Sequence, residues 1–168
     1  MKNLIAVFAA IVLVAGLTAT ANAQVTGTAT GSATIITPIA ITNAGNMNFG
    51  NIAVSASAGT VVLSPASVRS ITGGVTLPAV TGTVTAAAFT VTGLGSSTYS
   101  IQLPASYTIT SGGNSMTVNA FTSTPSGTGT LSGGTQTIQV GATLNVAASQ
   151  AAGSYTNATG FPVIVNYN

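Results

Sequence analysis

Moving protons, binding metals and activating nucleophiles near neutral pH rest chiefly on Asp, Glu, His and Cys, and this sequence contains none of the four. General acid–base catalysis needs a group whose pKa lies near the working pH. Ser and Thr hydroxyls are abundant, but a hydroxyl becomes a nucleophile only when a neighbouring base takes its proton. Tyr and Arg titrate too high for that task, which leaves an N-terminal amine as the one formal base. Calcium sites ask for carboxylates, and zinc sites for Cys, His or carboxylate. The inventory therefore predicts no enzyme, no metal site and no cofactor.

The charged side chains are only Lys2 and Arg69. Lys2 begins a leader: a positive residue, an almost unbroken apolar run from Leu4 to Leu17, then the small-x-small triplet Ala21-Asn22-Ala23 that signal peptidase reads. A membrane anchor would need about 18 or more consecutive apolar residues, and Thr18, Thr20 and Asn22 interrupt too early. The expectation is a cleaved Sec-type signal peptide over residues 1–23, no transmembrane span in the mature form, and a secreted, cell-surface or periplasmic product. Gln24 would then lead the mature chain, and an N-terminal Gln tends to cyclise, which makes the amine route to catalysis a poor one. Arg69 would be the one charged side chain left, so nothing can form the basic patch that nucleic acid requires. Without a carboxylate side chain to pair with, the Arg69 guanidinium is expected to gather backbone carbonyls or the C-terminal carboxylate, pinning the loop from Pro65 to Gly74. A ligand-recognition role is the sharper alternative. The absence of Cys means that no disulfide supports the exported fold.

What positions these residues reads as β throughout. Val25, Gly27, Ala29, Gly31, Ala33 and Ile35 alternate with Thr26, Thr28, Thr30, Ser32 and Thr34. The same period of two joins Tyr99, Ile101 and Leu103; Met116, Val118 and Ala120; Ile138 and Val140; Leu144 and Val146; and Val163, Val165 and Tyr167. Thr and Val suit pleated, half-buried surfaces. Gly73-Gly74, Gly93-Leu94-Gly95, Gly112-Gly113-Asn114 and Gly133-Gly134 read as turns, and Pro65, Pro104 and Pro125 as strand ends. Short strands at this spacing predict an antiparallel β-sandwich over residues 35–168, preceded by an N-terminal extension at 24–34. An outer-membrane barrel is set aside for its missing aromatic girdles and its lack of lumen charges.

The extension is the candidate assembly strand. Its small face (Val25, Gly27, Ala29, Gly31, Ala33) suits a narrow groove, where a strand donated by one molecule completes the sheet of another. The blander readings are the first strand of its own sandwich or a mobile leader. The apolar C-terminal run is the candidate acceptor edge, at Val163, Val165 and Tyr167, or an ordinary terminal core strand. Rows of Thr on a β surface could order water or dock on polysaccharide, although Thr is also simply a good uncharged strand former. Asn157-Ala158-Thr159 matches a glycosylation triplet, a pattern common by chance. No cluster of rings and polar groups for a glycan is evident.

The runs Ala33–Ile41, Met47-Asn48-Phe49-Gly50-Asn51-Ile52, Gly59–Pro65, Gly73–Leu77, Ala88–Gly93, Gly133–Thr137 and Val163–Tyr167 together resemble the domain-of-unknown-function 4402 family of secreted bacterial proteins. The Phe49-Gly50 segment and the C-terminal strand are more distantly similar to spore-coat-U-type and archaic chaperone–usher pilins. That second resemblance implies an immunoglobulin-like subunit that receives a missing strand from its neighbour. Its partners would be copies of itself or related subunits and an assembly chaperone. Such pilins commonly carry a cysteine pair, whereas Pro38 stands about where a cysteine is expected. The expected function is an exported structural or adhesive surface protein assembling by strand donation. The alternative is a monomeric secreted module that binds a glycan or a surface.

Overall fold

A computed structural model describes residues 24–168; the leader expected over 1–23 lies outside the described residues. The chain divides into two units, Met1–Thr34 and Ile35–Asn168, each described by itself. In the first, residues 24–34 form no strand and are exposed, Val25 at 92 %. Alternation alone does not make a strand: the ladder needs a partner.

The second unit is all β, with no helix among the described residues. Its strands are β1 (Ala40–Gly45), β2 (Ala53–Leu63), β3 (Arg69–Thr76), β4 (Ala87–Thr92), β5 (Thr98–Gln102), β6 (Ser106–Ser111), β7 (Asn114–Thr124), β8 (Thr128–Thr130), β9 (Thr135–Val146) and β10 (Ile164–Tyr167). They form two antiparallel sheets in a sandwich: a seven-stranded sheet, and a three-stranded sheet ordered β10-β5-β8.

β9 organises the larger sheet. Thr135–Val140 pair with β4, and Ala142–Val146 pair with β2. β7 pairs with β9 from Gln139 to Asn145, overlapping both contacts. One edge of a strand holds one partner at each position, so β4 and β2 lie end to end along the edge opposite β7. Ile138, Val140, Ala142, Leu144 and Val146 all point inward and are buried, the alternation expected of a half-buried strand.

Two apolar cores result. The first joins Phe89 and Val91 of β4, Tyr99 and Ile101 of β5, Leu131, Ile138, Val140, Val163 and Val165. The second joins Phe49, Val61, Leu63, Val75, Val118, Ala142, Leu144 and Val146. β5 and β10 of the small sheet, with Leu131 just after β8, contribute to the first core and not to the second.

The glycine pairs serve two different ends. Gly112 and Gly113, at φ 52° and 88°, close the β6–β7 hairpin between the paired Ser111 and Asn114, and Gly133-Gly134 do the same between Ser132 and Thr135. Positive φ at both central residues matches the right-handed twist of the flanking strands. Gly73-Gly74, expected as a turn, lie inside β3. There β2 bulges between Val54 and Gly59, and a Cβ on Gly73 or Gly74 would strike the carbonyls of Ala58 and Ser57. These two glycines serve close approach rather than chain reversal. Pro65, Pro104 and Pro125 all fall just beyond strand ends.

In β7 a bulge at Ala120, at φ 47°, adds one residue. Ala120 is therefore exposed, and Phe121 packs against both cores in its place.

Candidate functional site

Because the small sheet stops over the first core, the inner face of the large sheet above the second core is flanked by irregular chain instead of being covered by a second sheet. Between the segments near Asn46–Val54 and Gln150–Phe161 lies a groove of about 1290 Å³. Its floor is apolar: Tyr107 and Ile109 of β6, Met116 and Val118 of β7, Leu144 and Val146 of β9. Tyr107, Ile109 and Met116 are half-buried, so the floor is partly open to water.

Arg69 builds the first wall. It lies at the start of β3 rather than in a loop. Its Nη1 donates to the carbonyls of Phe49 at 2.7 Å and Asn51 at 2.9 Å. Asn51 is held in turn by Thr81 O and Val80 O, at 2.7 Å and 3.0 Å, and Asn48 Oδ1 accepts from Gly50 N at 2.8 Å. A guanidinium carries several donors in a fixed fork and suits this gathering of carbonyls.

The second wall hangs on β6. Thr110 and Thr156 exchange backbone hydrogen bonds at 2.9 Å and 3.0 Å. The Tyr107 hydroxyl donates to Asn157 O at 2.9 Å, and Asn157 Nδ2 donates to Thr108 O at 2.8 Å. Asn157, the first residue of the glycosylation triplet, thus has its amide committed to the wall. Gln150 Nε2 donates to the Tyr155 hydroxyl, which donates to Ala151 O. At the junction of the cores, Phe161 packs against Phe121, Tyr107 and Phe89, with ring centroids 4.9, 5.6 and 6.1 Å away.

The predicted acceptor edge stands elsewhere. Val163 and Val165 are buried in the first core, and β10 pairs with β5 from Ile164 to Tyr167. Its other edge carries no ladder among the described residues. The Tyr167 hydroxyl accepts from Leu94 N at 2.6 Å and donates to Thr37 O at 2.9 Å, clasping the start of the sandwich. None of the three lines the groove. Val25, Gly27, Ala29, Gly31 and Ala33 belong to the strandless segment of the first unit.

Sequence reading missed the groove because its floor and walls come from stretches far apart in the chain. One signal was available: Ala147–Val163 joins two strands without one of its own, and long connections of this kind are often functional. The structure also aligns polar residues on the outer face of the large sheet. Thr72, Thr60, Asn145, Thr117 and Thr108 are neighbours across five strands.

Nothing lining the groove ionises near neutrality, so it can select only by shape, apolar contact and neutral hydrogen bonds. Burial raises the Tyr99 phenol above its ordinary value of 10.0. Burial raises Tyr107 too, partly opposed by a backbone hydrogen bond with Gly160. A raised value means that the folded chain holds these protons more tightly than the unfolded chain. Their stabilisation is complete below the unfolded phenol value and is lost as pH rises through the folded one. With no carboxylate or imidazole side chain, the melting midpoint of residues 24–168 should stay nearly flat from about pH 3 to 9 and fall above about 10. Calorimetry across that range checks both limbs, and a steep acid limb would contradict the argument.

No curated protein and no solved structure matches the chain. A family model described as "Domain of unknown function (DUF4402)" matches residues 39–167, from just before β1 to the last residue of β10. The match spans the sandwich and leaves out residues 24–34, so the chain belongs to the DUF4402 family through its sandwich domain.

Proposed function

We propose that this protein is an exported, non-enzymatic structural or adhesive subunit of a cell surface, assembling by donation of a strand to copies of itself or to related subunits. The observation that carries the reading is the segment 24–34. It is alternating, uncharged, exposed and in no strand, and it lies outside the span of the family domain. Extended segments of this kind add to sheets through main-chain hydrogen bonds, with alternate side chains entering successive pockets. The charge-free composition supports dense packing of copies, since little electrostatic repulsion keeps them apart. An assembly chaperone would guard the acceptor before donation. The composition, which holds no side chain suited to acid–base work, supports the non-enzymatic part of the reading.

The test is sizing of residues 24–168 beside the same chain lacking 24–34. Ladders of multiples that persist in mild detergent are expected from the first and a single monomer from the second. Equal monomers from both would sink strand donation.

A second reading, a monomeric module binding a neutral glycan, is favoured by one observation. The groove gathers Tyr107, Tyr155 and Phe161 beside Asn and Gln side chains, the mix of rings and neutral polar groups that sugar sites use. A glycan array without hits above background removes it.

A further inference from the structure

The sandwich leaves the outer edges of β1, β3, β8 and β10 without a ladder among the described residues, and it carries one apolar groove. The free edge of β10 is short, and its inward residues are already buried in the first core. The groove over the second core is different. Its floor is an apolar sheet face with no second sheet above it, and Ile109 and Met116 remain half-exposed there. In a sandwich the inner faces of two sheets normally cover each other about 10 Å apart, so one extended segment laid over this floor would supply the missing layer. The wall from Gln150 to Phe161 forms no strand and meets β6 through the Thr110–Thr156 bridge. Its main chain is therefore largely uncommitted to a ladder.

From the groove and the unladdered extension together, we infer that the groove is the acceptor and that residues 24–34 of a second copy occupy it, an inference that rests on the strand-donation reading. Neutral chemistry matches on both sides: the groove lining contains no ionisable side chain except the Tyr phenols, and the segment contains none. The segment's small face, Gly27 to Ala33, lies down on the Ile109, Met116 and Tyr107 floor, where side chains already occupy part of the depth. Its Thr face points outward and meets the Asn-rich and Ser/Thr-rich walls. Bulky donor residues would have to displace Phe161 or Met116, whereas Gly and Ala do not.

The chain has no Cys of its own, so single thiols report the seat without background. Full mature chains carrying Ala29→Cys are mixed with chains carrying Met116→Cys and oxidised mildly. A disulfide needs Cβ atoms about 3.5–4.5 Å apart, a spacing that a seated strand supplies. The mixed heterodimer should exceed that formed with Thr90→Cys, on the outer face, by about tenfold or more, because seating raises the effective thiol concentration. Ile109→Cys repeats the reading if Met116→Cys folds poorly.

Preferential linkage of Ala29→Cys to Ile164→Cys, at the β10 edge, would overturn the groove assignment and leave strand donation standing. An intrachain disulfide in the doubly substituted chain, without heterodimer, would overturn the second copy as occupant. Monomers with no linkage at either place would overturn both readings. Protection of the Met116→Cys thiol from a maleimide by maltohexaose, in chains that remain monomeric, would give the groove to a sugar and overturn the inference.

Discussion

Tyr99→Ala is expected to lower the stability of the sandwich by about 3–5 kcal/mol, the range for removing a large aromatic side chain from a core. Tyr99 is fully buried in β5, the central strand of the small sheet. It pairs with Gly129 of β8 on one side and with Tyr167 of β10 on the other. Gly129 carries no side chain because the Tyr99 ring and Gln136 already fill that space. The phenol donates to Gln136 Oε1 at 2.7 Å, and the same oxygen accepts from Thr130 N at 2.9 Å. Truncation thus empties the centre of the first core and frees one lone pair of a half-buried amide. Against a total of about 5–15 kcal/mol, the loss should move the melting midpoint by on the order of 10 °C. Tyr99→Phe separates the two contributions. It keeps the ring and should cost only about 1 kcal/mol, since Gln136 retains its bond from Thr130. Denaturant melts of the three chains decide the matter: equal losses in Tyr99→Ala and Tyr99→Phe would mean that the hydrogen bond, not the packing, holds β5. Tyr99 does not line the groove. Folded Tyr99→Ala chains should therefore keep the groove intact.

The class of fold was legible because burial imposes a period of two, and β9 shows it from Ile138 to Val146, interrupted only by the buried Gly141. Hairpin glycines were legible for the same local reason, since the need for positive φ at Gly112-Gly113 and Gly133-Gly134 is set by adjacent residues. Gly73-Gly74 carry the same dipeptide for a non-local reason, the bulge of β2 at Ser55–Ala58, and no local pattern distinguishes the two uses. Ala120 fails similarly: strict alternation assigns it inward, but the bulge shifts Phe121 into the core. The groove was illegible for a deeper reason. It exists because β10, β5 and β8 are short and stop over one core, and sheet width is a property of pairing rather than of any one segment. Arg69 lay between these cases. The want of a carboxylate partner pointed to backbone carbonyls or the C-terminal carboxylate, and the carbonyls of Phe49 and Asn51 supply the bonds.

The position where the two halves of the large sheet meet should be the least tolerant of added atoms. Gly141 lies between Val140, the last β9 residue paired with β4, and Ala142, the first paired with β2. A Cβ there would overlap the Leu63 carbonyl oxygen and stand 2.6 Å from Ser64 C and 2.8 Å from Pro65 N. These are backbone atoms at the end of β2, where the chain turns out of the sheet, and they cannot rotate aside as a side chain can. Gly141→Ala sets two effects against each other. Reduced freedom of the unfolded chain favours Ala by about 0.4–1 kcal/mol, while overpacking typically costs about 1–3 kcal/mol and occasionally more. With three backbone atoms of one continuous segment inside contact distance the clash should win, and Gly141→Val should prevent β2 from pairing with β9 altogether. That would strip Val61 and Leu63 from the second core, where they pack with Val118, Leu144 and Val146 of the groove floor. Gly45→Ala is the control, because its Cβ would meet Ala88 Cβ at an ordinary 3.6 Å. It should be neutral or slightly stabilising. Melts of Gly141→Ala and Gly45→Ala that coincide would show that β2 yields at Ser64, and the claim that this junction is the least tolerant of added atoms would fail.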